Sequence, residues 1–550
     1  MRRRSFLAGA TVGGAISMLD WLSWFRRHGL PGTSRSLGLA EAAAQSMPTA
    51  EPRFLIYWFQ EGGWDSYSLF GPIDTPNHAT LALAENQLRP TPSWSSQYYR
   101  PQGYGPARAP RHRGSITSGY LADDGLELLP ELAVVSSHQG SSFHSAGRWE
   151  YHHGRYERFV PMTAKRQPSE RTVLQAFTEA RGAAFPIAHV GWHRFLADGE
   201  LDESSYPEGT GYYEKLGPAY AHTVYGRTPN DLRRRLLSLD GMASGARSER
   251  IRAFVDNLNS NFLLGRDGES VRAFDSAVKV YKQLTSGTGA TVNPSTLFTD
   301  SELRAEFGVK PTDEVTSAGS VNGNPSRSKD IPNTNVQAMM TYELMTRGLS
   351  IGFWIENRDI RVYDTHKVRS GVLASGGQDD QRASLRANLW SPLKALVRKL
   401  KTTQLGITGK TYWDHTTIVL ASEMGRTIQG DVATLLAANE PDEVKYRKIM
   451  EQDCCEHWRV SSVAFLGGTV KGNTQYGRVG TSTLEGIPLM PDGTLDPAFD
   501  PITGVLRGAQ SAKSRVTDSG NVYSTALALS GVDPVGKGLN TRPALTYIRK

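Results

Sequence analysis

The chain has 550 residues, with 62 Lys and Arg, 55 Asp and Glu, and a formal net charge of +7 at pH 7. Six of the arginines and two of the acids lie in the first 45 residues, so the remainder carries 56 basic and 53 acidic side chains, a charge of +3. This balance excludes the basic surface of a nucleic-acid-binding protein, and no segment after residue 45 is long and apolar enough for a transmembrane helix.

The chain begins MRRRSFLAGATVGGAISML, with Arg3 and Arg4 ahead of a short apolar segment. This order is typical of a signal for the twin-arginine translocase, so we interpret residues 1–45 as a twin-arginine signal segment and expect a periplasmic or secreted protein. Small residues at Ala42–Ala44 offer a cleavage site. A cytosolic basic tail is the alternative, and contact with the membrane is expected only if the segment is retained as an anchor.

Residues 46–550 are interpreted as one large domain, since α/β folds of this size commonly carry insertions. Segments near 87–114 and 286–335 are rich in Gly, Pro, Ser and other loop-forming residues and predict irregular excursions, the second a surface loop or lid. Between Thr172 and Leu284 the spacing of apolar residues predicts covering helices.

The continuous apolar run Phe54–Phe59 predicts a strand that is covered on both faces. Gly62 and Gly63 follow it and allow a tight turn, after which Asp65 would project from the carboxyl end of the strand. Ligands of α/β sheets bind at that end, which makes Asp65 a candidate. A helix N-cap is the alternative role for this residue.

A second strand is predicted at Leu132–Ser136, followed by SHQGSSFHSAGRWEYHHG. Ser141 and Ser142 lie where a helix could begin, with His144 one turn in. A serine there would feel the positive end of the helix dipole, which favours an alkoxide and any anion it attacks. An N-cap is the more frequent role of such a serine, although the stretch holds four of the chain's 13 histidines.

A third strand is predicted at Ile351–Ile355, and Ile360–Val362 continues the apolar pattern up to Asp364 and His366. In an extended segment, residues two apart lie on one face, so both side chains can reach one ion or one phosphoryl group. A structural pair, hydrogen-bonded within a loop, is the alternative.

Two further apolar runs, Thr416–Ala421 and Val463–Leu466, predict neighbouring strands. The first ends in Glu423 and Arg426, and His457 precedes the second. The two strands would therefore each present a charged or metal-binding group at one edge of a sheet.

The chain has two cysteines, Cys454 and Cys455, which excludes a disulfide framework. Adjacent cysteines can close a strained vicinal disulfide, and beside a histidine they can also act as thiolate metal ligands. Two small buried residues at the entrance to a strand are the third interpretation.

The order of these motifs resembles the secreted DUF1501 proteins, members of the alkaline phosphatase and sulfatase-like superfamily. The motifs are a strand followed by GGxD, the serine and histidine stretch, DTH, SExGRT at a strand end, and an acid–His pair that leads into GGxVKG. The resemblance covers roughly Phe54–Pro534, with NVYSTALALSGVDP similar to the family's terminal helix. It implies an α/β fold with a mostly parallel central sheet, helices on both faces and long loop insertions, as in alkaline phosphatase.

The resemblance also implies metal ligands at the carboxyl ends of the strands, namely Asp65, Asp364, His366, Glu423 and His457. The nucleophile would lie within Ser141–Ser145, with Ser142 the first candidate, Ser145 the second, and His144 beside them. Ser66 and Thr365 are competing hydroxyls.

Such a ligand set suits phosphoryl or sulfuryl transfer, because two divalent cations about 4 Å apart can hold the attacking and the leaving oxygen. Carboxylates and imidazoles favour zinc or manganese, with magnesium a third candidate. Arg426 could bind two nonbridging oxygens through parallel hydrogen bonds, or form a salt bridge to Glu423 or a loop carboxylate. Glu423 supplies one carboxylate where active phosphatases of the superfamily show two ligands.

The first hypothesis is an exported metal-dependent hydrolase of phosphate or sulfate esters, with a small-molecule or polysaccharide ester as substrate. The second is a non-catalytic secreted protein of the same fold that binds a metal or a polysaccharide. The third is a scaffold whose Asp and His residues are caps and buried hydrogen-bond partners. No Cys-x-Pro-x-Arg signature is present, which argues against a formylglycine sulfatase.

Overall fold

The computed structural model describes most of the chain between residues 51 and 550 in separate ranges. Apart from a few isolated residues, these are 51–64, 66–70, 111–113, 116–118, 120–141, 144–154, 172–182, 189–192, 223–225, 228–230, 294–314, 332–357, 360–363, 378–407, 409–426, 457–480, 485–535 and 542–550. The signal segment and most of the 87–114 excursion lie outside these ranges. The single domain over 46–550 stays a prediction.

The strands of the described residues are numbered in chain order. They are β1 (Phe54–Gln60), β2 (Arg111–Arg113), β3 (Ile116–Ser118), β4 (Ala133–Gln139), β5 (His189–Gly191), β6 (Thr223–Tyr225), β7 (Gly352–Asn357), β8 (Thr416–Ser422), β9 (Gly425–Arg426), β10 (His457–Trp458), β11 (Val460–Gly467) and β12 (Thr474–Tyr476).

The α-helices follow the same convention. They are α1 (Ser66–Leu69), α2 (His144–His153), α3 (Val173–Arg181), α4 (Ser301–Glu306), α5 (Thr334–Thr346), α6 (Ile360–Tyr363), α7 (Gln378–Leu385), α8 (Ser391–Thr402) and α9 (Ser519–Leu529). A π-helical turn, Arg386–Trp390, joins α7 to α8, and short 3₁₀ turns occur at Tyr120–Gly125, Leu129–Glu131, Pro294–Thr296, Pro311–Glu314, Trp413–His415 and Thr546–Ile548.

The chain divides into two compact units, residues 1–54 with 161–355 and residues 55–160 with 356–550. In the second unit the strands follow the order β12-β4-β11-β8-β1. β12 runs parallel to β4, whereas β11 runs antiparallel to both β4 and β8. Every residue of β1, β8 and β11 is buried, as their continuous apolar runs require.

Helices cover both faces of this part of the sheet. On one face, the ring of Phe59 meets that of Tyr151 in α2 edge to face, with centroids 5.6 Å apart. The side chain of Trp58 points to the other face, where its Nε1 donates to the carbonyl of Asn388, 3.2 Å away, in the π turn. Successive strand residues alternate between faces, so α2 and the π turn lie on opposite sides.

The sequence of α8 has the apolar spacing of a helix that covers one face of a sheet. Leu393, Leu396, Val397 and Leu400 recur at three and four residue spacing and are all buried. Removing each of these side chains from water contributes about 1.5–3 kcal/mol. Pro392 lies in the first turn of α8, directly after the π turn, and has no N–H to donate.

The first unit contains β7, β5 and β6, in that order, with β5 parallel to both neighbours. Helices were predicted between residues 172 and 284. Helix α3 agrees with that prediction, whereas strands β5 and β6 in the same region were not predicted. Each has three residues, too few to show a period of two in the sequence. Within the predicted 286–335 excursion, α4 begins after Asp300, whose side chain caps it by accepting from Glu302 N and Leu303 N.

The α/β class is therefore confirmed, and the sheet is mixed: β11 runs antiparallel to its neighbours β4 and β8, whereas β12 and β4, β5 and β6, and β5 and β7 pair in parallel. One difference concerns Ile360–Val362, which continues the strand pattern in the sequence but lies in the helical turn α6. Across the described ranges, no helix combines the length and apolarity needed to cross a membrane.

Candidate functional site

One edge of the sheet in the second unit collects polar chain ends. β8 ends at this edge, and β11 begins there because the two strands are antiparallel, with Leu420 opposite Ala464. Beyond them, β9 and β10 form a further antiparallel pair in which Arg426 lies opposite His457. The backbones of Glu423, Arg426 and His457 are thus brought together at this edge.

Glu423 is fully buried at the end of β8. Its Oε2 accepts a hydrogen bond of 2.8 Å from the backbone N–H of Gly62, and its own N–H donates to the carbonyl of Gln60 over 3.2 Å. The segment that follows β1 therefore fixes one oxygen of this carboxylate. Metal-binding carboxylates are commonly oriented by such a hydrogen bond from their surroundings.

The turn after β1 has the conformation that its glycines predict. Gly62 has φ +92° and Gly63 has φ +81°, values that residues with a side chain rarely adopt. The next residue, Trp64, donates its N–H to Ser422 Oγ over 2.9 Å, and α1 starts at Ser66. The tight turn thus returns the chain along the end of β8.

Helix α2 packs its first turns directly onto Glu423. A Cβ added to Gly147 would lie 2.3 Å from the carbonyl oxygen of Glu423, so only glycine permits this approach. Upstream of the helix, Gly140 N donates to the carbonyl of Arg459 over 2.7 Å, and Ser141 N donates to the buried carboxylate of Glu150 over 2.9 Å. Glu150 thereby fixes the loop between β4 and α2.

A family model described as "Protein of unknown function (DUF1501)" matches residues 53–485. These residues make up well over half of the chain. The chain belongs to the DUF1501 family. No curated protein matches it.

In this DUF1501 protein, His138 is a buried polar residue near the end of β4 and was not among the predicted site residues. Neither of its ring nitrogens has a hydrogen-bond partner among the described residues, and its ring lies 5.3 Å from that of Tyr151. Burial lowers the pKa of His138 to about 3. The imidazole is therefore neutral at any physiological pH, which suits a ligand or a hydrogen-bonding group and not a general acid.

The competing hydroxyl of Ser66 is already used within the fold. It is buried, lies 3.2 Å from Ser461 Oγ, and accepts a hydrogen bond of 3.2 Å from Ser462 N. These bonds join α1 to β11, so they give Ser66 a structural role. The other competing hydroxyl, Thr365, lies outside the described residues.

The remaining predicted residues differ in how much of each is described. For Arg426, His457, His144 and Ser145 the backbone is described and the side chain is not, whereas Asp65, Ser142, Asp364, His366, Cys454 and Cys455 lie outside the described residues. Glu423 alone among the predicted metal ligands has a described side chain. Helix α2 begins at His144, three residues beyond the first serine predicted to start it.

The described side chains of this DUF1501 protein form no group of three or more His, Cys, Asp or Glu that could hold a metal ion. A metal site at this sheet edge would therefore need Glu423 together with residues whose side chains are not described.

His138 and Glu150 lie near Glu423 and were not predicted as site residues from the sequence. A Cβ on Gly140 would lie 3.6 Å from Glu150 Oε2, 3.7 Å from His138 Nε2 and 4.0 Å from the Glu423 carbonyl oxygen, so these groups surround one point. His138 is the sixth residue of a buried strand, and Glu150 lies inside a helix. The sequence signals for these two residues were a histidine just after a predicted strand and a glutamate within a predicted helix.

Proposed function

We propose that this DUF1501 protein is an exported, metal-dependent hydrolase of phosphate or sulfate esters, with an alkaline phosphatase-like fold. The observation that carries the proposal is the antiparallel pairing of β9 with β10, in which the backbone of Arg426 lies opposite that of His457. Arg426 follows three residues after Glu423, a buried carboxylate that the Gly62 amide orients. A carboxylate, an imidazole and a guanidinium at one sheet edge are the groups that ester hydrolysis at a phosphoryl or sulfuryl centre uses.

The proposed metal ligands are Asp65, Asp364, His366, Glu423 and His457. Carboxylate and imidazole donors favour zinc or manganese, with magnesium third. Glu423 fits a ligand position because burial and the Gly62 hydrogen bond fix its orientation. When bound, a divalent ion would stabilise the negative charge that develops on the ester oxygens.

The protein groups have separate roles in this proposal. Ser142, with Ser145 as the second candidate, provides the attacking hydroxyl beside the amino terminus of α2, whose dipole favours negative charge. His144 lies between them in sequence as the proton-transfer candidate. The Arg426 guanidinium binds two nonbridging oxygens of the substrate. Attack by the serine hydroxyl would release the alcohol and leave the phosphoryl or sulfuryl group on the serine oxygen, and water would then cleave that bond to release phosphate or sulfate and restore the serine.

Export by the twin-arginine translocase to the periplasm or the exterior is part of this proposal, on the evidence of Arg3 and Arg4. The substrate would be a small-molecule or polysaccharide ester. A second candidate function is a secreted metal- or polysaccharide-binding protein without turnover. It is favoured by the single carboxylate, Glu423, at the end of β8.

The test is metal analysis of full-length protein purified without chelator, together with a screen on aryl phosphate and aryl sulfate esters. We expect bound zinc or manganese, and turnover that Asp364→Ala abolishes. Asp533→Ala is the matched control, because Asp533 is an exposed residue of a local turn that accepts from Val535 N. Bound metal without turnover supports the binding protein, and the absence of both contradicts the hydrolase and favours a scaffold whose Asp and His residues are caps and buried hydrogen-bond partners.

A further inference from the structure

A surface hairpin in the second unit concentrates exposed apolar residues. In the described part of the chain four large hydrophobic side chains are exposed, and three of them, Ile502 (40%), Val505 (47%) and Leu506 (50%), lie within five residues. We refer to these three as the apolar tip. Single exposed hydrophobic residues are ordinary in proteins, but a local group of them marks an interaction site.

The hairpin is held rigidly by its own hydrogen bonds. Its strands are joined by Asp500 N to Val505 O (2.8 Å) and by Arg507 N to Ala498 O (2.7 Å). At the turn, Asp500 Oδ1 accepts from Ile502 N (2.9 Å) and from Thr503 N (2.6 Å). Outside the hairpin, Arg478 Nη1 also donates to the carbonyl of Pro501 over 3.0 Å. These bonds fix the turn, so the side chains of the tip are held outward at low entropic cost.

The surroundings of the tip are cationic. Residues 501–515, PITGVLRGAQSAKSR, contain the exposed cations Arg507, Lys513 and Arg515 and no acidic residue. Arg507 forms an ion pair with Asp500, so Lys513 and Arg515 supply the positive charge of this segment. Of the preceding acids, Asp496 and Asp500 are buried and accept hydrogen bonds from neighbouring turns, whereas Asp492 is exposed. Asp496 accepts from Ser511 N over 2.9 Å, which connects the 511–515 segment to the base of the hairpin.

We propose that this hairpin docks onto an anionic lipid surface, with the apolar tip in the interfacial region and Lys513 and Arg515 at the headgroups. Aliphatic side chains flanked by Lys and Arg are the combination that binds such surfaces, where buried apolar area and attraction to anionic lipids add. A protein partner needs about 20–30 contacting residues on each side, far more than the tip offers. Sugars are bound mainly by aromatic faces, which the exposed tip lacks.

The test is co-sedimentation of the full-length protein with phosphatidylcholine vesicles, with and without phosphatidylglycerol. We expect about tenfold stronger binding to the anionic vesicles, since each cation near such a surface contributes measurably. Replacing the tip (Ile502→Ser, Val505→Ser and Leu506→Ser together) and replacing two cations (Lys513→Gln with Arg515→Gln) should each reduce that binding several-fold.

Matched controls separate the hairpin from the rest of the surface. Val535→Ser changes the fourth exposed hydrophobic residue (62%), and Arg398→Gln with Lys410→Gln removes two exposed cations elsewhere. Neither should alter binding. If the tip variant does not fold, the wild-type protein still gives a test. Its binding to anionic vesicles must weaken as the salt concentration is raised.

The proposal is overturned if the wild type does not prefer anionic vesicles, or if the tip variant binds them as well as the wild type does. Equal loss in Val535→Ser, or binding to an anionic polysaccharide in place of vesicles, also overturns it. Ester hydrolysis is measured separately, so failure here is distinct from failure of the proposed function.

Discussion

Two buried glutamates, one in each unit, make the same local bond in different surroundings. In the second unit, Glu423 accepts the N–H of Gly62 at 2.8 Å. In the first, Glu343 of α5 accepts the N–H of Phe298 at 2.8 Å, and Arg347 Nε lies 3.8 Å away on the next helical turn. Burial raises the pKa of the Glu343 carboxyl, partly offset by the Phe298 bond and Arg347.

The difference lies in what surrounds each carboxylate. Glu343 lies in the middle of a helix and fastens a single turn, that of Phe298, whose φ is +63°. Glu423 lies at a sheet edge where β1, β8 and β4 all end and β11 begins. A buried glutamate that accepts a hydrogen bond from a backbone amide does not by itself define a functional site. Glu343 is therefore the matched control for Glu423.

The largest effect is expected for Glu423→Gln. The carboxamide oxygen can still accept from Gly62, but the negative charge is lost, so the fold should persist while ester turnover falls at least ~100-fold, about 3 kcal/mol in transition-state energy. Metal content should fall with it. Glu343→Gln should keep both, and steady-state kinetics with metal analysis of the two variants gives the comparison. Equal losses in both would remove the distinction between the two glutamates.

Gly147→Ala tests the packing of α2 on Glu423. Its Cβ would lie 2.3 Å from the Glu423 carbonyl oxygen, so the helix must shift, at a cost of about 1–3 kcal/mol. Gly508→Ala, where no atom lies within 4 Å of the new Cβ, is the control and should be near neutral. Urea unfolding of both variants measures the difference, and an unchanged midpoint for Gly147→Ala would show that the contact is not as close as described.

His138 predicts a loss of stability in acid. Its pKa is about 3 in the folded chain and about 6.5 in an unfolded one, so below pH 6.5 the unfolded state gains a proton that the folded state does not. The stability this residue contributes is complete above pH 6.5 and falls by about 2 kcal/mol at pH 5. His138→Phe, which keeps a ring against Tyr151, should lose less between pH 7 and pH 5 in urea unfolding. An identical loss in variant and wild type contradicts the burial of this imidazole.

The smallest effect concerns Glu343, with the opposite sign. Because the folded pKa is raised, its favourable contribution is complete below the unfolded pKa of about 4.3 and is lost as pH rises through the folded pKa. Glu343→Gln, which resembles the protonated form, should therefore be slightly more stable than the wild type at neutral pH and equal to it in acid. Thermal unfolding at several pH values checks this, and a variant that is less stable at neutral pH would contradict it.

Local sequence patterns were sufficient for the main elements of the second unit. The apolar runs that predict strands at Phe54–Phe59, Thr416–Ala421 and Val463–Leu466 all lie within observed strands, and the run NVYSTALAL lies within α9. Long apolar runs bounded by glycine and polar residues carry this information in the sequence itself. The three-residue strands β5 and β6 are too short to do so.

Strand direction could not be read from the same patterns. If β11 ran parallel to β8, His457, which precedes β11, would lie at the edge opposite Glu423, which follows β8. The predicted meeting of the two groups at one edge requires the antiparallel β11 that the structure has. Direction depends on how the chain returns between β9 and β10, and hydrophobic periodicity does not encode it. His138 and Glu150 were missed for a related reason, because their positions near Glu423 arise only when β4 and α2 pack.

The most direct test of the metal proposal is a crystal structure of the full chain grown with zinc or manganese, with diffraction recorded at the metal absorption edge. We expect an anomalous peak about 2.0–2.2 Å from the Glu423 carboxylate and the His457 imidazole. A metal bound only elsewhere, or no peak at saturating zinc and manganese, would contradict the account.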